Sequence, residues 1–276
     1  MLAPRASAIA GELEGLTPLE VLTNPTKLAK LLGELVRGAA LDVAWVESGS
    51  RLAHEVAGCE LDWSAFPPVV RPRLRSSGVM PSLAVGRPAA VLEVARRLRA
   101  TLGEAALVGI VVPGPSELAS ECVGLDPEDA AEILLVVVRA FCEAGTEVVM
   151  LTQGVVAPEV PDYTELMRPL VSTVRFFRAL PLVSGPSGEA DWCELANALG
   201  AIPCVLPGAV WSATGNSELH ALALPVPIPA HIASKNSCVL VTTEVELTGI
   251  QPVSVVGELQ RAIRKLDRGR AERKRS

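Results

Sequence analysis

Aromatic residues are scarce in this chain of 276 residues: Phe, Trp and Tyr together make up 3%, with a single tyrosine. Because 49% of the residues are hydrophobic, the core has to be built mainly from Ala, Val and Leu. Long apolar runs are also missing. Stretches such as LLVVV at 134–138 fall far short of the roughly 20 residues a membrane-spanning helix needs, so no membrane partner is expected. The first fourteen residues carry Arg5, Glu12 and Glu14 without an extended apolar segment. That pattern predicts no signal peptide and a soluble, cytoplasmic protein. The six cysteines form no C-x-x-C pair and no finger-type spacing. They are expected to stay reduced, several of them buried as small hydrophobes, which argues against a disulfide framework. The three histidines, His54, His220 and His231, lack the close spacing of zinc ligands, so no metal is expected.

The total charge of −6 hides an uneven distribution. Residues 261–275 hold eight Lys and Arg against Asp267 and Glu272, so the acidic excess lies in the rest of the chain. Such a tail reads as a solvated helix end. An acidic body repels a phosphate backbone, so nucleic acid is not an expected partner.

What is present is a repeated unit: a helix with apolar residues at helical spacing, a tight turn, an apolar strand, then a Gly/Pro-rich loop. AALVGIVVPGPSELA at 105–119 shows it best, as a buried strand opening into Pro113-Gly114-Pro115 and a helix. A short apolar run bounded by breakers fits a parallel strand covered on both faces. Thr17-Pro18 and Asn24-Pro25 mark two helix starts in the preamble at 1–38. Strands are predicted at 40–46, 105–112, 147–151, 181–184, 202–206, 221–227 and 238–245. Helices are predicted at 51–56, 89–102, 116–123, 127–144, 162–179, 189–199 and 252–266, with a short extended piece at 59–63. Residues 66–88 are Pro/Gly/Ser-rich and contain Arg71, Arg73, Arg75 and Arg87, an excursion with room for one short strand, whose Arg-x-Arg-x-Arg alternation at 71–75 reads either as a solvent-facing edge or as an anion-steering group. Seven or eight strands alternating with helices, without a break in composition, predict one α/β domain over 1–276. Its expected architecture is a (β/α)8 TIM-type barrel with an irregular N-terminal part.

Four segments carry a resemblance in the right order: LDVAWVESGSRLAHEVAGCEL at 41–61, the helix and LGEAALVGIVVPGPSELA ending at 119, FCEAGTEVVMLTQ at 141–153, and CVLVTTEVELTGIQPVSVVGELQRAI at 238–263. Together they resemble the uroporphyrinogen decarboxylase family, whose superfamily also holds corrinoid-dependent methyltransferases and cobalamin-independent methionine synthases. The resemblance implies a TIM-type barrel. Its site residues transfer poorly. The family's N-terminal arginine motif has no counterpart among Arg5 and Arg37. Its pyrrole-binding aspartate falls near Gly49, its tyrosine near Glu121 and its closing histidine near Glu244. The zinc ligands of the methyltransferase branch fall at Leu182-Val183-Ser184 and near Val245. In the resembled family barrels pair through their faces, so a homodimer is the expected oligomer.

Carboxylates and hydroxyls stand at the predicted strand tips: Glu47-Ser48, Thr152-Gln153, Ser184 and Thr243-Glu244-Val245-Glu246. In a closed barrel the first and last strands are neighbours, which would bring Glu47 and Glu244 to one pocket. Two nearby carboxylates separate their pKa values and supply an acid and a base. The expected catalytic residues are Glu47 and Glu244, with His54 on the following helix as a candidate base. Ser48, Arg71, Arg73, Arg75, Gln153, Ser184, Thr243 and Glu246 are the expected substrate contacts. The expected chemistry is acid–base, of the decarboxylation or lyase type, on a small carboxylated molecule and without a metal or cofactor. Methyl transfer from a corrinoid or folate carrier is one alternative. A non-catalytic barrel that binds a ligand or partner is the other.

Overall fold

A computed structural model of the chain describes residues 15–49, 51–71, 82–152, 160–184, 195–200, 202–207, 220–224 and 238–243. Two capped helices lead in. In α1 (Pro18–Leu22) Thr17 and Glu20 form a reciprocal capping box, and in α2 (Pro25–Ala39) the Asn24 side chain accepts from the Lys27 N–H at 3.1 Å. Each cap satisfies an N–H that the first turn leaves without an intrahelical partner. Both starts fall where the Thr-Pro and Asn-Pro pairs predict them.

The strands follow as β1 (Val43–Glu47), a short antiparallel hairpin of β2 (Glu60–Asp62) and β3 (Val69–Arg71), β4 (Leu107–Pro113), β5 (Val148–Thr152), β6 (Leu180–Ser184), β7 (Cys204–Pro207), β8 (His220–Leu224) and β9 (Cys238–Thr243). Between them lie α3 (Leu52–Val56), α4 (Gly86–Leu102), α5 (Pro115–Glu121), α6 (Pro127–Glu143) and α7 (Val160–Phe176). Helix α4 begins three residues earlier than Ala89, because Pro88 sits in its first turn, where a missing N–H costs nothing.

The main sheet is parallel and runs β1-β4-β5-β6-β7-β8-β9, the order of the chain itself. An open doubly wound sheet reverses its strand order at a switch point; this one never does. Core composition follows from that order. Helix residues such as Leu28, Leu98, Val137 and Val174 pack in one cluster with Ala44, Val46, Val108, Ile110, Val149 and Leu151. Among the described residues, the opposite face is built by strand residues alone: Val43, Trp45, Val111, Val148, Met150, Leu182 and Val205. With the described helices on one face and a buried apolar cluster on the other, the sheet curls around its own inner face. This is a TIM-type α/β barrel fold, with β1 and β9 as the outermost strands of the described sheet.

Trp45 is the largest side chain of that inner face, and 2% of it is exposed. Its register partner is Gly109. A Cβ at 109 would lie 2.6 Å from Trp45 Cε3 and Cζ3 and 2.9 Å from Val43 Cγ1, so the indole packs directly onto bare backbone.

One expectation needs correcting. Cys59 and Cys122 are joined in a disulfide, with Cα atoms 6.4 Å apart, rather than both remaining thiols. A separation of 63 residues gives no hint that the ends of α3 and α5 meet in space. Cys142 and Cys204 are buried free thiols, and burial, helped by Glu143, pushes Cys142 up to about 12.

Candidate active site

The parallel strands all deliver their carboxyl ends to one rim, where Pro113, Thr152 and Ser184 lie level in register. A pocket of about 230 Å³ opens there. Among the described residues, its polar lining is Glu47, Ser48, Arg51, His54, Glu117 and Thr152. Strand tips of a barrel sit where loops converge, so side chains from several elements reach one volume.

Glu47 ends β1 and is buried, 3% exposed. A buried carboxylate is tolerable only beside compensating charge, and Arg87 supplies it. The Arg87 guanidinium, also buried, places Nη1 3.7 Å from Glu47 Oε2 and bonds Glu55 Oε2 through Nε at 2.6 Å. Its Cζ lies over the Trp63 ring, 5.1 Å from the centroid, a cation–π contact.

His54, on the short helix α3, is 2% exposed, so it is a buried imidazole and not a rim residue. Its Nε2 lies 2.5 Å from Glu121 Oε2, and Arg51 pairs with the same carboxylate oxygen. Nδ1 has no hydrogen-bond partner among the described residues. Burial disfavours the imidazolium and lowers the His54 pKa below its usual value, outweighing the opposite pull of the Glu121 hydrogen bond and charge. Burial acts to raise Glu121, but the hydrogen bond from His54 and the Arg51 charge prevail and hold that carboxyl below its usual range. The consistent state is a neutral imidazole that donates Nε2–H to an ionised Glu121, leaving Nδ1 as the ring's acceptor. Arg51 takes a left-handed backbone conformation, φ 61°, unusual for a side chain with a Cβ, which sets it at the turn between β1 and α3.

Glu117 closes the other side of the pocket. It stands in the first turn of α5, just after the Pro113-Gly114 corner, and accepts from the Thr152 hydroxyl at 3.1 Å. The pocket therefore holds two carboxylates, a buried imidazole, a guanidinium and two hydroxyls.

Among the residues expected from sequence, the structure brings Glu47, Ser48 and His54 together in this pocket. Arg71 lies elsewhere, on the exposed hairpin, where it pairs with Glu60 at 3.6 Å and Asp62 at 3.0 Å. Hydrogen bonds from the Ser64 backbone and then from Arg71 hold Asp62 at about 2. Ser184 ends β6 and Thr243 ends β9. Glu244, Glu246, Arg73, Arg75, Gln153 and the loop 185–188 lie outside the described residues. Sequence reasoning missed Arg51, Arg87, Glu117 and Glu121 as site groups. For Glu121 a signal existed, since the resemblance set a functional tyrosine close to it. For Glu117 the signal was its place one turn past the corner at a strand tip.

No protein-family model matches this chain, and no curated protein matches it by sequence. Solved structures do. A methyltransferase from Methanosarcina mazei superposes with a TM-score of 0.76 at 17% identity, over 94% of this chain and 91% of that one. The 2,3-dimethylmalate lyase, a member of the PEP mutase/isocitrate lyase superfamily, gives a TM-score of 0.46 at 11% identity, over 97% of this chain and 82% of that one. At these identities the first match speaks for the barrel fold alone, and the second adds nothing to it.

Proposed function

We propose that this chain is a barrel enzyme performing acid–base chemistry, of the decarboxylation or lyase type, on a small carboxylated substrate. The observation that carries this reading is His54: a buried, neutral imidazole lining the pocket, held through one nitrogen by Glu121, with the other unpartnered among the described residues. A buried acceptor left unpaired costs free energy, and a substrate proton is a partner that would repay it. His54 takes that proton at Nδ1, and Glu121 stabilises the imidazolium that forms, as a carboxylate does when it orients a histidine base. Glu47, charge-compensated by Arg87, and Glu117, within reach of a hydroxyl, are the two further proton-exchanging groups of the pocket. Arg51 is the cation that meets the substrate carboxylate. In a decarboxylation the C–C bond to CO2 breaks, its electron pair stays on the substrate carbon, and a proton from one of these groups quenches it.

Methyl transfer is the second reading. It is favoured by the fold match to a methyltransferase across nearly the whole chain, and it calls for a methylated corrinoid or folate as donor.

Thermal unfolding against porphyrinogens, methylcorrinoids, folates and mono- to tricarboxylic acids separates these. A ligand at a hundred times its Kd stabilises the native state by about 2.7 kcal/mol. A carboxylic acid is expected to raise Tm for the wild type and to lose that effect in both His54→Asn and Glu47→Gln. A shift from a methylcorrinoid or folate alone would replace acid–base chemistry with methyl transfer. A carboxylate shift that survives in both variants would sink the catalytic role and leave a binding barrel.

A further inference from the structure

The Cys59–Cys122 disulfide lies outside the pocket, yet it ties together the two segments that form the His54–Glu121 pair. Cys59 closes the turn after α3, and its N–H donates to the His54 carbonyl at 2.9 Å. Cys122 directly follows Glu121 and caps α5, its N–H donating to the Leu118 carbonyl at 3.1 Å. The covalent bond, the Glu121–His54 hydrogen bond and the Arg51–Glu121 ion pair therefore bridge the same gap. Helix α5 has seven residues and no side-chain bond at its N-cap. So short a helix is marginal by itself and depends on what anchors its ends. The two cysteines also differ in exposure: Cys59 is half-buried, whereas Cys122 is buried at 5% exposed.

We propose that Cys59–Cys122 is a redox latch on the candidate site. A dithiol reductant attacks the sulfur of Cys59, the more exposed of the two residues. The S–S bond breaks, and Cys122 leaves as a thiolate that takes up a proton. The second thiol of the reductant then attacks the mixed disulfide, freeing Cys59 as a thiol and closing the reductant into its own disulfide. Two electrons and two protons have passed to the protein. The end of α5 is then anchored only by packing and by the Glu121 bonds, and Glu121 loosens its hold on His54 and Arg51. Oxidation by a small disulfide reverses each step and restores the alignment. The latch stands whether the pocket does acid–base chemistry, methyl transfer or binding alone, since it concerns the geometry of the pair.

Hydrogen exchange by mass spectrometry on the full chain, before and after dithiothreitol and again after oxidised glutathione, tests it alongside alkylation mapping of the thiols. The expected result is new alkylation at Cys59 and Cys122. Exchange should quicken about tenfold or more at 52–59 and 115–122 with α2 and α6 unchanged, then return to its starting rate on reoxidation. Cys59→Ser/Cys122→Ser should show the faster exchange in both conditions. If that variant does not fold, the wild-type arm decides alone. Alkylation of both cysteines without reductant would overturn the latch. So would reduction that leaves exchange at the two segments unchanged, and so would reduction that speeds exchange throughout the chain, which would make the disulfide a general staple.

Discussion

The two faces of the parallel sheet obey different rules. The outer face is tiled by a broad cluster, mostly Val, Leu, Ile and Ala, from the seven helices α1–α7 and the strands, so each residue has many equivalents around it. The inner face has a handful of strand residues, one of them a tryptophan seated on a glycine, and its upper end passes straight into buried charge at Glu47. Redundancy on one side and single-residue dependence on the other teach where this fold is tolerant and where it is committed. Tolerance lies under the helices. Commitment lies at the mouth.

The sharpest way to break that contrast is Arg87→Ala. Removing one partner of a buried ion pair leaves the other charge uncompensated and costs about 3–5 kcal/mol. Here the charge left behind is Glu47, 3.7 Å away and buried, with Glu55 losing a 2.6 Å bond as well. Urea unfolding should show the loss, and Glu47→Gln in the Arg87→Ala background should recover part of it. A cost below about 1 kcal/mol, the range of exposed pairs, would mean that Arg87 compensates nothing.

Next in size is Gly109→Ala, which drives a methyl into the Trp45 ring and the Val43 side chain. Overpacking of this kind costs about 1–3 kcal/mol. Combined with Trp45→Leu, the added methyl should cost much less, because residues in contact couple in a double-mutant cycle. Additive costs would show that the indole does not rest on that backbone. On the outer face Ile133→Val is the reference, at about 1 kcal/mol with no such partner dependence.

The same contrast explains what could be read from sequence. The outer face and the helix caps were legible because their causes are local: Thr17-Pro18, Asn24-Pro25 and Asp126-Pro127 start helices through bonds within one turn. Glu47 and Ser48 were legible because they end an apolar strand, and strand tips of a barrel converge. The groups that were missed depend on distant partners. Arg71 and Arg87 come from one Pro-rich stretch, and the Arg-x-Arg-x-Arg alternation drew attention to the first. Yet Arg71 settles on an exposed hairpin while Arg87 is buried against Glu47. The pairing of Glu121 with His54 spans 67 residues, and the disulfide behind it spans 63. No periodicity encodes such meetings.

The smallest effect concerns pH, and it separates the faces most cleanly, since the outer cluster is built of apolar side chains, thiols and a phenol that stay neutral at and below pH 7. His54 has a folded pKa below its ordinary value of 6.5 because burial disfavours the imidazolium. The unfolded chain therefore binds more protons than the native one below pH 6.5, and stability falls as pH drops through that value towards the folded pKa. Glu121, depressed below its ordinary 4.5, contributes stability that is fully present above that value and is lost at still lower pH. Both trends point the same way, in successive windows. Urea midpoints for the wild type should decline between pH 7 and 5, and His54→Gln should flatten that decline even where it lowers stability at pH 7. A decline of equal slope in the variant would assign the titration to other groups and would mean that His54 keeps an ordinary affinity for its proton, so that it is no longer a base held neutral at the mouth.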